Sequence, residues 1–112
     1  MSSLPNYLRT YRKRSALSQE EVAFLLGTKG LNKGTKVSRD EHYARTPTLE
    51  DALAYEVIYG RPVRELFAGL YEGVESEVIA HAKILTNRVV DVNPKGQQTI
   101  AEIVLRGAKA VS

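Results

Sequence analysis

The sequence has no cysteine and no tryptophan, one methionine and two histidines. Without cysteine, neither a disulfide framework nor a thiolate metal centre can form, and His42 and His81 lack the clustered spacing of an imidazole metal site. No apolar run approaches the roughly 18 residues of a membrane span, and the N-terminal stretch lacks the apolar segment of a signal peptide, so a cytoplasmic location is the expectation. Internal repeats and low-complexity segments are absent. No nucleophile, base and acid cluster can be named, which argues against an enzyme, and no cofactor is implied. The glycine-rich stretch Lys33-Gly34-Thr35-Lys36 is not a nucleotide phosphate cradle: its lysine precedes the glycine, and a helical pattern rather than a strand leads into it.

What is present is enough for one modest core with an appendage. A chain of 112 residues buries a smaller share of its surface than a large one and often gains stability by oligomerising. The net charge of +3 is unevenly spread. Residues 1–45 hold nine Lys or Arg against four Asp or Glu, a net +5, whereas residues 46–112 hold seven against nine, a net −2. A basic half and a mildly acidic half suit a molecule that meets phosphate on one face and protein or solvent on the other. Lys29, Lys33 and Lys36 taken alone also fit a solvated loop.

The stretch from Leu17 to Leu49 organises the chain. Ser18 and Glu21 are spaced as a capping box, with the serine hydroxyl accepting from the Glu21 N–H and the glutamate reaching back to the Ser18 N–H. Val22, Ala23, Leu25 and Leu26 follow as an apolar stripe, and Gly27 is placed to end the helix in a left-handed residue. Ala23 is small enough for a second helix to cross closely. A further helix beginning near residues 33–35 and running to about Tyr43 is anchored by Val37. Before this pair, Leu8, Tyr11 and Leu4 are read as the inward face of a first helix with Pro5 near its first turn, and Arg9, Arg12, Lys13 and Arg14 as its outer face. After it, Thr48 caps a helix ending near Gly60, with Leu49, Ala52, Leu53, Ile58 and Tyr59 directed to the core. Pro62 opens a short helix in which Val63, Leu66 and Phe67 close the bundle. From Leu70 on, Tyr71, Val74, Val78, Ala82, Leu85 and Val89 repeat at three or four residues like a coiled-coil seam. Asn93-Pro94 and Gly96 break that pattern before a last amphipathic helix with Ile100, Ile103, Val104 and Val111.

From Leu8 to Phe67, about half the chain, the sequence resembles the DNA-binding domain of the phage Cro and repressor (XRE-type) helix-turn-helix family. The residues that carry the resemblance are Arg12, then Leu17, Ser18, Gln19, Val22, Ala23, Leu26 and Gly27, then Val37, Ser38 and Glu41, then Pro47, Thr48 and Leu49, and finally Leu66 and Phe67. Three features depart from the family pattern. Nine residues, Thr28 to Lys36, separate Gly27 from Val37 where the family has about five. Asp40 stands where the family prefers Ile, Leu or Trp, which suggests a more exposed position, and Tyr43 replaces the glycine that usually ends the helix.

The resemblance implies an all-α fold, a five-helix repressor-like bundle over residues 1–69; the repeat from Leu70 on, outside the resemblance, adds a helical C-terminal extension over residues 70–112. The resemblance further implies a sequence-specific regulator that occupies operators on double-stranded DNA, commonly as a homodimer, without a small-molecule substrate. By family position Thr35, Lys36 and Arg39 are the base-reading candidates, since an arginine can pair bidentately with guanine and a threonine methyl can touch thymine. Gln19, Lys33 and Arg45 are the phosphate candidates, Gln19 because it falls in the first turn of its helix. Arg12 and Glu41 are expected to form an ion pair between the first and third helices. The extension either folds back on the bundle or makes a dimer interface. A protein-interaction module of antitoxin or adaptor type, gripping its partner through that extension, is the alternative reading.

Overall fold

The computed structural model describes residues 4–27, 34–87 and 93–111. Seven helices, and no strand, occur among the described residues: α1 Leu8–Arg14, α2 Gln19–Leu25, α3 Thr35–Glu41, α4 Leu49–Tyr59, α5 Val63–Leu66, α6 Ala68–Asn87 and α7 Pro94–Val111. The chain divides into two compact units, Met1–Leu70 and Tyr71–Ser112. No helix among the described residues is long and apolar enough to cross a membrane.

Local chemistry sets most helix boundaries in the first unit. At α2 the capping box closes from both sides: the Ser18 hydroxyl accepts from Glu21 N at 3.0 Å, and Glu21 Oε1 accepts from Ser18 N at 2.9 Å. The Thr48 hydroxyl accepts from Asp51 N at 3.1 Å to start α4, and left-handed Gly60 ends it. Glu56 then reaches forward to accept from Val63 N, which ties α4 to the start of α5. Two helices end on a left-handed residue that is not glycine. After α1, Ala16 has φ +58°, with Ala16 N donating to Lys13 O and Leu17 N to Arg12 O; after α3, Tyr43 has φ +64°, with Ala44 N donating to Arg39 O. These are the bonding patterns of the Schellman ending, formed at a steric cost that glycine would avoid.

Leu8, Val22, Ala23, Val37, Ala52, Tyr55, Leu66 and Phe67 form the core, with Tyr11, Leu17, Leu26, Ile58, Tyr59 and Val63 packed around it. At about 1.5–3 kcal/mol per fully buried large aliphatic side chain, this cluster is the main force holding α1 to α5 together. Several expected core residues lie outside it. Leu4 and Leu25 are exposed, and so are Leu49 (73%) and Leu53; Val57 on the same face of α4 is 83% exposed. The cause is that α4 is apolar on both sides. Ala52, Tyr55 and Tyr59 take the inward side, with Tyr55 fully buried. Asn6 is buried as well, accepting from Leu8 N and donating its amide to Asp40 O at 2.9 Å, so one side chain joins the start of α1 to α3.

In the second unit, Ala82 is buried and Ile79 half-buried, whereas Val74, Val78 and Leu85 of the expected seam are exposed. Val89 lies outside the described residues. The approach of α6 to α7 is close: a Cβ on Gly107 would collide with the Ile79 side chain.

Candidate nucleic-acid interface

Three helices meet at a buried carboxylate. Glu41, at the end of α3, has a side chain with no solvent exposure, and Arg12 of α1 holds it from two nitrogens, Nε at 2.6 Å and Nη2 at 3.2 Å. The third arginine nitrogen donates to Leu17 O, at the entry to α2. Gln19, in the first turn of α2, donates to Glu41 Oε1 at 3.2 Å. One carboxylate therefore orients α1, α2 and α3 together. The hydrogen bond to Glu41 pushes the Arg12 pKa up further, so its guanidinium stays charged at any working pH. For Gln19 the geometry shows a side chain directed into this network rather than a free amide at the helix start.

Across α3 the residues divide by face. Val37, Asp40 and Glu41 point inward, while Thr35, Arg39 and the capping residue His42 are exposed on the opposite side. Thr35 and Arg39 thus share the outward face with Ser38 at its edge. His42 joins them through a bond between its Nδ1 and Ser38 O at 2.7 Å, which requires Nδ1 to carry the hydrogen and leaves Nε2 outward. His42 was not among the sequence candidates; its place one turn beyond Ser38 was the available signal. Lys36 sits on the flank toward α4, and its ammonium lies 2.9 Å from both oxygens of Asp51. Arg45 follows α3 and lies between two carboxylates, with Nε 3.0 Å from Asp40 Oδ1 and Nη2 3.4 Å from Asp51 Oδ2. Lys33, and with it most of the enlarged turn, lies outside the described residues.

Asp40 corrects an expectation. A charged residue in place of an apolar one suggests an exposed position, yet the Asp40 side chain is fully buried. The reason is Tyr55 of α4, whose hydroxyl donates to Asp40 Oδ2 at 2.7 Å across the core. Arg45 approaches the other oxygen, but outside hydrogen-bonding geometry. Burial raises the Asp40 pKa above the ordinary carboxylate range, against the opposing pull of Tyr55 and Arg45. Burial also raises Tyr55, as does its bond to Asp40, so the phenol remains a donor.

Among the described residues no group of three or more His, Asp or Glu could hold a metal ion. The surface that remains is one exposed helix face carrying Thr35, Ser38, Arg39 and His42, fixed from behind by two buried carboxylates. Such a face can offer hydroxyl, guanidinium and imidazole groups to hydrogen-bonding edges without large rearrangement. Comparison of the chain with protein-family models, curated proteins and solved structures gave no match.

Proposed function

We propose that the chain is a sequence-specific DNA-binding regulator acting by operator occupancy, with α3 as the helix that enters the major groove. The observation that carries this reading is the division of α3: Glu41 and Val37 are locked inward while Thr35 and Arg39 stand outward and exposed. The basic excess of residues 1–45 supports it. Arg39 is the reader of greatest consequence, since a bidentate bond to guanine O6 and N7 discriminates by about 1–3 kcal/mol. Phosphate contacts supply affinity and register, and a homodimer matches two half-sites.

The test is Arg39→Ala, titrated by fluorescence anisotropy against a preferred duplex and a random one. The reading expects a loss of about 10- to 100-fold on the preferred duplex, at one base position, with little change on the random duplex. Equal losses on both would remove Arg39 from the base-reading set. A second reading, a protein-interaction module that grips a partner through residues 70–112, is favoured by the exposed Val74, Val78 and Leu85 of α6. Salt-insensitive, weak DNA binding together with a defined protein partner would establish it instead.

A further inference from the structure

We infer that Asp51 sets the specificity of the interface by holding Lys36 and Arg45 back from phosphate, so that contacts to bases weigh more in the choice between sequences. This rests on the DNA-binding reading. Asp51 lies in the first turn of α4, outside α3, yet its carboxylate meets the Lys36 ammonium at 2.9 Å and Arg45 Nη2 at 3.4 Å. The Lys36 pair is not a loose surface one, whereas the Arg45 side chain is 37% exposed. The Asp51 side chain is 13% exposed and that of Lys36 27%, so water and salt screen the attraction less than they would at the surface.

Charge accounting gives the consequence. Lys36 and Arg45 are two of the cations nearest the reading face, and they are matched by two carboxylates, Asp51 and Asp40. The cluster as a whole brings little free positive charge to a polyanion. Arg39 remains exposed on the same helix with no ion pair among the described residues. An unneutralised Lys36 or Arg45 would bind any phosphate on any sequence, raising affinity for random and preferred DNA alike. Asp51 suppresses that general term and leaves the base-directed one.

The test is Asp51→Asn, which keeps the shape and the N–H bonded to Thr48 but removes the charge. Binding to a preferred and a random duplex is followed from 0.05 to 0.5 M salt, as about ten points in log concentration. Each cation newly free to meet a phosphate steepens the log–log slope by about 0.9, so a steepening of roughly 0.9 to 1.8 is expected, with tighter binding to random DNA and a smaller ratio of preferred to random affinity. Asp51→Glu, which retains the charge, should keep the wild-type slope. A purely structural role for Asp51 would lower thermal stability in both variants without steepening the slope. An unchanged slope, or weaker binding by a folded Asp51→Asn protein, would overturn the inference and show that Asp51 positions Lys36 for DNA. If Asp51→Asn fails to fold, Asp51→Ser replaces it with the same expected slope. Wild-type protein with no salt-dependent DNA binding at all would instead overturn the DNA-binding reading, and this inference with it.

Discussion

Replacing Arg12 by alanine should unlock the three-helix junction. The change leaves the Glu41 carboxylate with no solvent exposure and one remaining side-chain donor, Gln19, at 3.2 Å. It also strips Leu17 O of its guanidinium partner. Breaking a buried pair by removing one member costs about 3–5 kcal/mol, because the other charge is left uncompensated. The surviving Gln19 bond places the expected loss near the lower end, about 3 kcal/mol. A small domain has only about 5–15 kcal/mol in total, so roughly a fifth to three fifths of the stability is at stake. In urea, with a slope of about 1–3 kcal/mol per molar, the midpoint should fall by roughly 1–3 M at unchanged slope, read by far-ultraviolet circular dichroism. The double change Arg12→Met with Glu41→Leu removes both charges and keeps the volume, and should return to within about 1 kcal/mol of wild type or exceed it. A loss below about 1 kcal/mol for Arg12→Ala, or a double variant as unstable as the single one, would refute the view that Glu41 is a desolvated charge held by Arg12.

Further perturbations separate local strain, titration and packing. Ala16→Gly and Tyr43→Gly each relieve a left-handed residue, a gain of about 1–2 kcal/mol offset by about 0.5–1 kcal/mol of glycine entropy, so each should raise the melting temperature by a few degrees; a decrease for Ala16→Gly, whose side chain is exposed, would contradict the strain argument. Asp40 has a folded pKa above its unfolded one, so its contribution to stability is most favourable below the ordinary carboxylate range and falls as pH rises through the folded value. Relative to wild type, Asp40→Asn should therefore be better tolerated at pH 7 than at pH 3 by chemical denaturation, and a constant difference across that range would count against it. Glu21 behaves oppositely: its lowered pKa, caused by the bonds to Ser18, makes a contribution that is present above the ordinary value and lost as pH falls. Gly107→Ala should destabilise the α6–α7 unit by about 1–3 kcal/mol through collision with Ile79, and Ile79→Ala in the same chain should recover part of that loss by making room; no recovery would place the clash elsewhere.

The features legible in the sequence were those whose partners lie within one turn. Ser18 with Glu21 and Thr48 with Asp51 are capping pairs three residues apart, and Gly27 and Gly60 mark left-handed ends, so spacing alone locates α2 and α4. Apart from the Arg12–Glu41 pair, which the family resemblance implied, choices that depend on a distant partner were not legible. Asp40 is buried because Tyr55, fifteen residues on, supplies a hydroxyl, and no periodicity within α3 carries that information. On α4 the apolar pattern runs around the helix, so Leu49 and Leu53 could not be distinguished from Ala52 and Tyr55 until the surrounding helices decided which side faced them. Tyr43 takes the left-handed conformation without being glycine, because the α3 end is closed by backbone bonds whatever the side chain. At the candidate interface, the outward placement of Thr35 and Arg39 follows from helical period once Val37 is taken as the anchor. The diversion of Lys36 to Asp51 and of Gln19 to Glu41 does not, since both acceptors lie on other helices.

The most direct measurement is selection of bound duplexes from a random pool by the intact protein, with affinity for the winner followed against salt. The account predicts one enriched motif, two-fold related, with half-sites about one helical turn apart, 10–10.5 base pairs, and an affinity that falls steeply as salt rises. A pool that emerges unenriched, with only weak binding at physiological salt, would contradict it and transfer the exposed faces of this protein from DNA to a protein partner.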